Sequence, residues 1–122
     1  MSMLGRYIDY FIVNFSLEVI YMALKIKKST NPKKKLMLVG EKKDGSKITR
    51  HFGAAGYVDR TRIKNPEERK KRTAAYKSRH KGDNLSDPYS AGALSYYVLW
   101  GADTIAGGIA KYNKRFGLSV TR

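Results

Sequence analysis

The chain has 122 residues, with 25 Lys and Arg against 10 Asp and Glu, and it contains no cysteine. This length fits one domain, and without cysteine the chain cannot hold a disulfide framework, a Cys-ligated zinc or iron–sulfur centre, or a cysteine nucleophile. Its 42% hydrophobic residues argue against a fully disordered tail, and its formal charge of +15 predicts a surface that attracts polyanions.

The first segment, residues 1–24, is an apolar, aromatic leader with a net charge of −1. Its stretch 7–24 is just long enough to span a membrane, but Asp9 and Glu18 interrupt it, and a carboxylate near the centre of a span is costly. The alternatives are contact with a membrane surface, packing within an assembly, and an accessory extension before a chain that starts at Met22. The predicted interface residues for assembly are Tyr10, Phe11 and Phe15.

Three strands are predicted after the leader. Residues 22–28 alternate in polarity, as a half-buried strand does, and residues 35–43 form a second extended run. The pair Asp44-Gly45 is the strongest hairpin signal in the chain and leads to a third strand over 47–52. We expect a small antiparallel sheet of two or three strands, followed at residues 53–56 (Gly-Ala-Ala-Gly) by a loop or a close backbone approach.

The first predicted helix is strongly basic. It begins at Asn65 and Pro66, which suit the N-cap and the first helical position, and it ends near Lys81, with Gly82 suited to a left-handed cap. Its interior has no continuous apolar stripe, so it should project into solvent or meet a charged partner. Its predicted packing residues are Ala74, Ala75 and Tyr76.

Two further helices are predicted, from Pro88 to Trp100 with Asp87 as the cap, and from Asp103 to Gly117. In the second of these, apolar residues recur at positions 105, 109, 112 and 116, which is the spacing of one buried helix face. These two helices and the apolar side of the hairpin are the predicted core. The predicted fold class is therefore α+β, a small antiparallel sheet followed by three helices.

The positive charge is concentrated in residues 25–81, where 20 Lys and Arg stand against five Asp and Glu, within a predicted basic domain over 25–122. Such a segment neutralises phosphates and releases condensed counterions, which gives salt-dependent affinity without sequence specificity. Solubility alone requires a net charge of only about 2–8. The predicted polyanion-binding residues are Lys33, Lys34, Lys35, Arg60, Arg62, Lys64, Arg69, Lys70, Lys71, Arg72, Lys77, Arg79, His80 and Lys81.

Other chemistries have little support in the sequence. It contains no zinc-finger, basic-zipper or RNP signature and no phosphate-binding glycine loop. Its two histidines are far apart, and its acids occupy positions typical of caps and turns, so we predict no catalytic residue, no metal site and no cofactor. Tyr57 can stack on a nucleobase, although a tyrosine beside a turn more commonly packs against the turn itself.

A set of separated anchors runs from Phe52 to Phe116. They are Phe52-Gly53-Ala54, Gly56-Tyr57, Asp59, Thr61, Glu68 to Arg72, Arg79-His80-Lys81, Asp87-Pro88, Ala91 to Ser95, Leu99-Trp100, and Ile109 to Phe116 with Lys114-Arg115. Together they resemble a family of short basic uncharacterised proteins encoded by large DNA viruses of eukaryotes and some large phages. The chain departs from that pattern at Thr73, where an aromatic is expected, and at residues 82–85, where an acidic turn with Trp is expected. The resemblance implies a viral origin and an association with the virion or the genome.

The sequence thus predicts a non-enzymatic virion or genome-associated protein, present in the virion and in the host cytoplasm or nucleus. Its predicted partner is nucleic acid, DNA before RNA, or an acidic protein surface, bound mainly through residues 60–81. The alternative is a minor capsid or cementing protein that contacts capsid proteins or a membrane through the leader. The set Tyr96, Tyr97 and Trp100 fits either an interface or a core.

Overall fold

The computed structural model describes residues 23–122, and its first elements form one antiparallel sheet. The strands are β1 (Lys25–Lys28), β2 (Lys34–Glu41) and β3 (Lys47–Ala54), with β2 in the centre. Because side chains alternate along a strand, the apolar residues share one buried side of the sheet. These residues are Ile26, Leu36, Leu38, Ile48 and Phe52.

The β2–β3 hairpin turns where the sequence predicts it. The Asp44 carboxylate accepts hydrogen bonds from the backbone N–H and the hydroxyl of Ser46, at 2.9 and 2.6 Å, and these bonds lower its pKa. Gly45 has a φ of +86°, which a residue with a Cβ rarely adopts. The strand pairing places Glu41 opposite Lys47, so the connection is the five residues 42–46.

Five helical segments follow the sheet, and two of them are joined end to end. A 3-10 turn (Arg60–Arg62) leads to helix α1 (Pro66–His80), and helix α2 (Ala91–Leu94) continues directly into a π-helical segment (Ser95–Leu99). Helix α3 (Ile105–Phe116) ends at Gly117, which is left-handed with a φ of +66°, as predicted. The predicted α+β fold, an antiparallel sheet followed by three helices, is confirmed.

Helix α1 begins as predicted, with the Asn65 side chain accepting from the Glu68 N–H at 2.9 Å. Its predicted end is wrong in one respect, because Gly82 is not left-handed. The helix instead passes through Lys81 in helical geometry, and the Asp83 N–H bonds the His80 carbonyl at 3.0 Å.

The predicted caps of the last two helices are each displaced by a neighbouring hydroxyl. Ser90 caps α2 by accepting from the Ala93 N–H, and Thr104 caps α3 by accepting from the Gly107 N–H, both at 3.0 Å. Asp87 instead accepts from the Tyr89 N–H, closing a turn that keeps Pro88 outside the helix. Serine and threonine hydroxyls cap as well as carboxylates do, and here the carboxylates are held by other partners.

The core lies between the sheet and the segments from Ala93 to Trp100 and Ile105 to Phe116. Trp100 belongs to it at 9% exposure, whereas Tyr96 and Tyr97 pack against its edge and remain partly exposed. Tyr112 is fully buried, and its hydroxyl donates to the Pro88 carbonyl at 2.5 Å. Burial raises the pKa of Tyr112, so this hydroxyl stays protonated and keeps the turn before α2 attached to α3.

The end of the chain covers an edge of the sheet, which the sequence did not predict. Thr121 pairs with the start of β1, its carbonyl accepting from Ile26 at 2.8 Å and its N–H donating to Leu24 at 3.2 Å. The side chain of Asn113 in α3 bonds both backbone groups of Val120. These bonds hold the terminal segment beside β1 and satisfy backbone groups that would otherwise be open.

Helix α3 and the π-helical segment pack so closely that position 108 tolerates no side chain. A Cβ on Gly108 would overlap the carbonyl oxygen of Val98 and lie 2.7 Å from that of Tyr97. We expect Gly108→Ala to lower the free energy of unfolding by about 1–3 kcal/mol, the usual cost of overpacking. Urea denaturation followed by the fluorescence of Trp100, the sole tryptophan, measures it.

Gly82→Ala is the matched control for that substitution. A Cβ at Gly82 would have no atom within 4 Å, and its backbone is not left-handed. The control should therefore leave stability unchanged or raise it slightly, since alanine restricts the unfolded chain. Equal stability of the Gly108→Ala variant and the unchanged protein would contradict the close packing.

The predicted loop at 53–56 is partly wrong, because Gly53 and Ala54 extend strand β3. The predicted close backbone approach is present at Gly53, where a Cβ would lie 2.6 Å from the Leu99 side chain.

The predictions made for the leader fall outside the described residues. They are the membrane span and the interface residues Tyr10, Phe11 and Phe15. None of the helices among residues 23–122 combines the length and the hydropathy that a membrane-spanning helix needs.

Candidate polyanion-binding surface

A groove of about 640 Å³ lies beside helix α1, between the end of β3 and helix α2. It is defined by apolar residues at its base, by three cations at its sides and by an exposed tyrosine. The base residues are Phe52, Tyr76, Leu99 and Trp100, the cations are Lys34, Arg72 and Arg79, and the tyrosine is Tyr57. We refer to this depression as the groove.

Helix α1 does have an inward stripe, but its residues are mostly polar. Arg69, Thr73, Tyr76 and His80 recur at helical spacing, and Thr73 and Tyr76 are buried. The prediction that Ala74 and Ala75 are packing residues is wrong, since both are exposed. Scanning for apolar residues missed the stripe because an arginine, a threonine and a histidine carry three of its four positions.

An aromatic stack joins α1 to the core at the base of the groove. The Tyr76 ring lies between His80, at 4.3 Å, and Trp100, at 4.4 Å between ring centroids. Burial, assisted by the nearby Asp83 carboxylate, raises the pKa of Tyr76 to about 12. Asp83 also lies 2.8 Å from the His80 ring nitrogen Nδ1, so the end of the helix is fixed by both stacking and a polar contact.

Asp59 fixes the loop that forms one side of the groove. Its side chain is only 4% exposed, lies 2.6 Å from the Lys35 ammonium and accepts from the Thr61 N–H at 2.9 Å. The Thr61 hydroxyl also donates to it. Lys35, one of the predicted polyanion-binding residues, therefore has an internal partner and holds the loop against β2.

Two more of the predicted binding residues, Arg60 and Arg69, converge on Asp103. Their Nε atoms lie 2.8 and 3.3 Å from the same Asp103 oxygen, and these arginines, Arg60 first, lower its pKa. Arg60 also donates to the Trp100 carbonyl at 3.2 Å, and Arg69 to the Ile63 carbonyl at 3.0 Å. Both guanidinium groups therefore position the start of α1 against the turn before α3.

Most of the remaining predicted cations have no side-chain hydrogen bond or ion pair within the described part of the chain. Arg72 lies 3.8 Å from Glu68, a loose pair at the surface, and Lys77 lies over the Tyr96 ring at 5.3 Å. The cations with no such partner among residues 23–122 are Lys33, Lys34, Arg62, Lys64, Lys70, Lys71, Arg79 and Lys81.

The predicted cations gather on both flanks of α1. Lys34, Lys35, Arg72, Arg79 and His80 line the groove. A second depression on the opposite flank, of about 430 Å³, is lined by Arg60, Arg69, Lys70 and Lys77. Lys33, Arg62, Lys64, Lys71 and Lys81 line neither depression. The helix thus presents cations along two sides, with its inward stripe between them.

Electrostatic crowding is visible at Lys77. Burial lowers its pKa, and the nearby cations Arg60 and Lys111 lower it further. Lys111 is itself bonded to the Gly101 carbonyl at 2.8 Å. Like charges that disfavour one another's charged forms create a positive potential, which a bound anion would relieve.

Sequence reasoning missed the exposure of Tyr57. Its side chain is 76% exposed at the edge of the groove, so the expectation that it packs against its own turn is wrong. Asp59, two residues later, is buried, and it anchors the short loop segment in which Tyr57 and Val58 face solvent. A tyrosine two residues before a capping aspartate is the signal that the sequence offered.

The described residues form no group of three or more His, Asp and Glu that could hold a metal ion. His51, distant from His80 in the sequence, lies on β3 with its Nδ1 2.8 Å from the Ser29 hydroxyl. Comparison of the chain with models of protein families, with curated proteins and with solved structures found no match.

Proposed function

We propose that this chain is a non-enzymatic, basic viral protein, associated with the virion or the genome, that binds nucleic acid without sequence specificity. The observation that carries the proposal is the set of cations without an ion pair on and beside helix α1, among them Lys70, Lys71 and Arg79 on the helix and Lys34 in the lining of the groove. A surface that only served solubility would pair or scatter its charges, and would need far fewer of them. The viral association rests on the resemblance between Phe52 and Phe116 described above.

The arrangement of these cations suits a phosphate backbone. Lys34, Arg72 and Arg79 line the groove on one flank of α1, and Lys70 and Lys77 line the depression on the other flank. A helix with its side chains is about 10–12 Å across, and phosphates on one DNA strand follow each other by a few ångströms along the axis. A nucleic-acid strand lying along α1 therefore meets cations from either flank.

We assign these cations to phosphate contacts and not to base readout. Helix α1 lacks Asn and Gln, the residues that pair with adenine edges, and the chain carries no signature of a sequence-reading motif. Phosphate contacts position a protein on nucleic acid but carry no sequence information. Binding should therefore depend on charge and salt far more than on sequence.

Salt titration tests this function. We expect the full chain to bind duplex DNA of unrelated sequences equally, with the logarithm of the association constant falling linearly with the logarithm of salt concentration. The slope is about −0.9 for each phosphate neutralised, so contact with four cations gives a slope of about −4. Fluorescence anisotropy with labelled duplexes measures it. Absence of binding at low salt, or an affinity that does not change with salt, would overturn the proposal.

A further inference from the structure

Tyr57 and Val58 are the exposed large hydrophobic residues of the described chain, at 76% and 43% exposure, and both line the groove. No ring contact or side-chain hydrogen bond to Tyr57 is found within residues 23–122. An exposed aromatic ring beside an apolar depression is a feature of binding surfaces. The groove therefore needs an occupant that stacks on an aromatic ring.

From this geometry we propose that the groove binds an unpaired nucleobase of a single-stranded nucleic acid, with Tyr57 as the stacking platform. The inference rests on the proposed nucleic-acid function and extends it from phosphates to bases. A nucleobase in duplex is already stacked between its neighbours, so only an unpaired base is free to lie against Tyr57.

Charge identifies the occupant as an anion. Lys34 and Arg79 line the groove with no ion pair in the described chain, and Arg72 has only the loose contact to Glu68. The two acids that also line it have partners, Asp59 with Lys35 and Asp83 with His80. The free charge in the groove is therefore positive, which favours a nucleotide over an apolar peptide.

The size and the walls of the groove agree with this occupant. Pockets for small organic ligands are about 300–1,000 Å³, and the groove, at about 640 Å³, falls in that range. Small residues form its walls, among them Ala54, Ala75, Ala91 and Gly92. They leave a flat ring room to enter beside Tyr57, above the base formed by Leu99 and Trp100.

The test compares two oligomers with equal charge. The full chain is titrated with a fluorescent oligothymidylate and with an abasic oligomer of the same number of phosphates, at one salt concentration. We expect the oligothymidylate to bind about tenfold more tightly, since stacking of one base on an aromatic side chain commonly has an effect of that order. The same comparison is made with an RNA oligomer that carries bases and an abasic RNA oligomer, and we expect the same difference in affinity.

Variants at Tyr57 then locate the effect. Tyr57→Ala should remove the difference between the two oligomers while leaving the abasic affinity unchanged, and Tyr57→Phe should retain it. The side chain is exposed, so neither substitution disturbs the core. In a photocross-linking experiment, an oligomer that contains 5-bromouracil should become attached to the segment that includes Tyr57.

The outcomes separate the two proposals. If neither oligomer binds, the nucleic-acid function itself fails and the inference fails with it. If both bind with equal affinity, or if Tyr57→Ala preserves the difference, the function stands and the base-stacking inference is overturned. In that case the groove is open to a different occupant, such as an apolar peptide.

Discussion

Replacing Lys70, Lys71 and Arg79 by Glu is expected to weaken duplex DNA binding by at least about 100-fold near 0.1 M salt. The three side chains lie on different sides of α1 and have no ion pair within the described part of the chain. Each lost phosphate contact lowers the association constant by nearly a factor of ten at that salt concentration, and each new carboxylate repels the strand. The slope of affinity against salt should also become shallower by about 3.

Arg69 is left unchanged in this variant because the structure gives it a different role. Its guanidinium bonds the Ile63 carbonyl and Asp103, so its reversal would disturb the start of α1 and place two acids side by side. Residues 69–72 are all basic, so the sequence does not distinguish them. The structure separates Arg69, which supports the start of α1, from Lys70 and Lys71, which face solvent. Because Arg69 keeps its contacts, a loss of DNA affinity in the triple variant can be assigned to the lost phosphate contacts and not to a disturbed helix.

The matched control reverses Lys25, Lys43 and Lys114 to Glu, and it leaves Lys47 unchanged because Lys47 lies opposite Glu41. Both variants lower the formal charge from +15 to +9. Lys25 and Lys43 lie near the hairpin end of the sheet, Lys114 lies in the last turn of α3, and none of the three lines the groove or the second depression beside α1. We expect this variant to bind at least tenfold more tightly than the α1 variant. Equal losses would show that total charge, and not the α1 surface, sets the affinity.

Much of the fold follows from local sequence signals. Alternating polarity predicts the three strands, and Asp44-Gly45 predicts the hairpin, because the turn needs both a left-handed residue and an acceptor for nearby N–H groups. The start of α1 at Asn65 is equally local. These features are decided within a few residues, so single-sequence reasoning finds them.

The features that sequence reasoning missed depend on partners far along the chain. Asp103 does not cap α3, because it is bound by Arg60, 43 residues earlier, and Thr104 caps the helix in its place. The groove likewise requires the end of β3, α1 and α2 to meet around Gly53. No local pattern contains such information, so the groove beside Tyr57 could not be predicted from the sequence.

Asp59→Asn is expected to lower the free energy of unfolding by about 3 kcal/mol, because it leaves the Lys35 ammonium without its carboxylate partner. Asp59 is 4% exposed and Lys35 is 18% exposed, so water cannot fully replace the lost contact. Asparagine keeps an oxygen that can accept from the Thr61 N–H, so the change removes the charge and retains the cap. Urea denaturation measures the loss.

A second variant and an exposed control show whether the burial of this ion pair sets the cost. Adding Lys35→Met to Asp59→Asn removes the unpaired ammonium and should restore most of the stability, as replacement of buried ion pairs by apolar groups often does. Asp103→Asn removes a carboxylate that is 54% exposed and should cost less than about 1 kcal/mol. Equal costs for the Asp59 and Asp103 variants would contradict the burial argument.

Asp59 also anchors the loop segment that carries Tyr57. The Asp59→Asn variant should therefore lose the preference for oligothymidylate over the abasic oligomer, whereas Asp103→Asn should keep it.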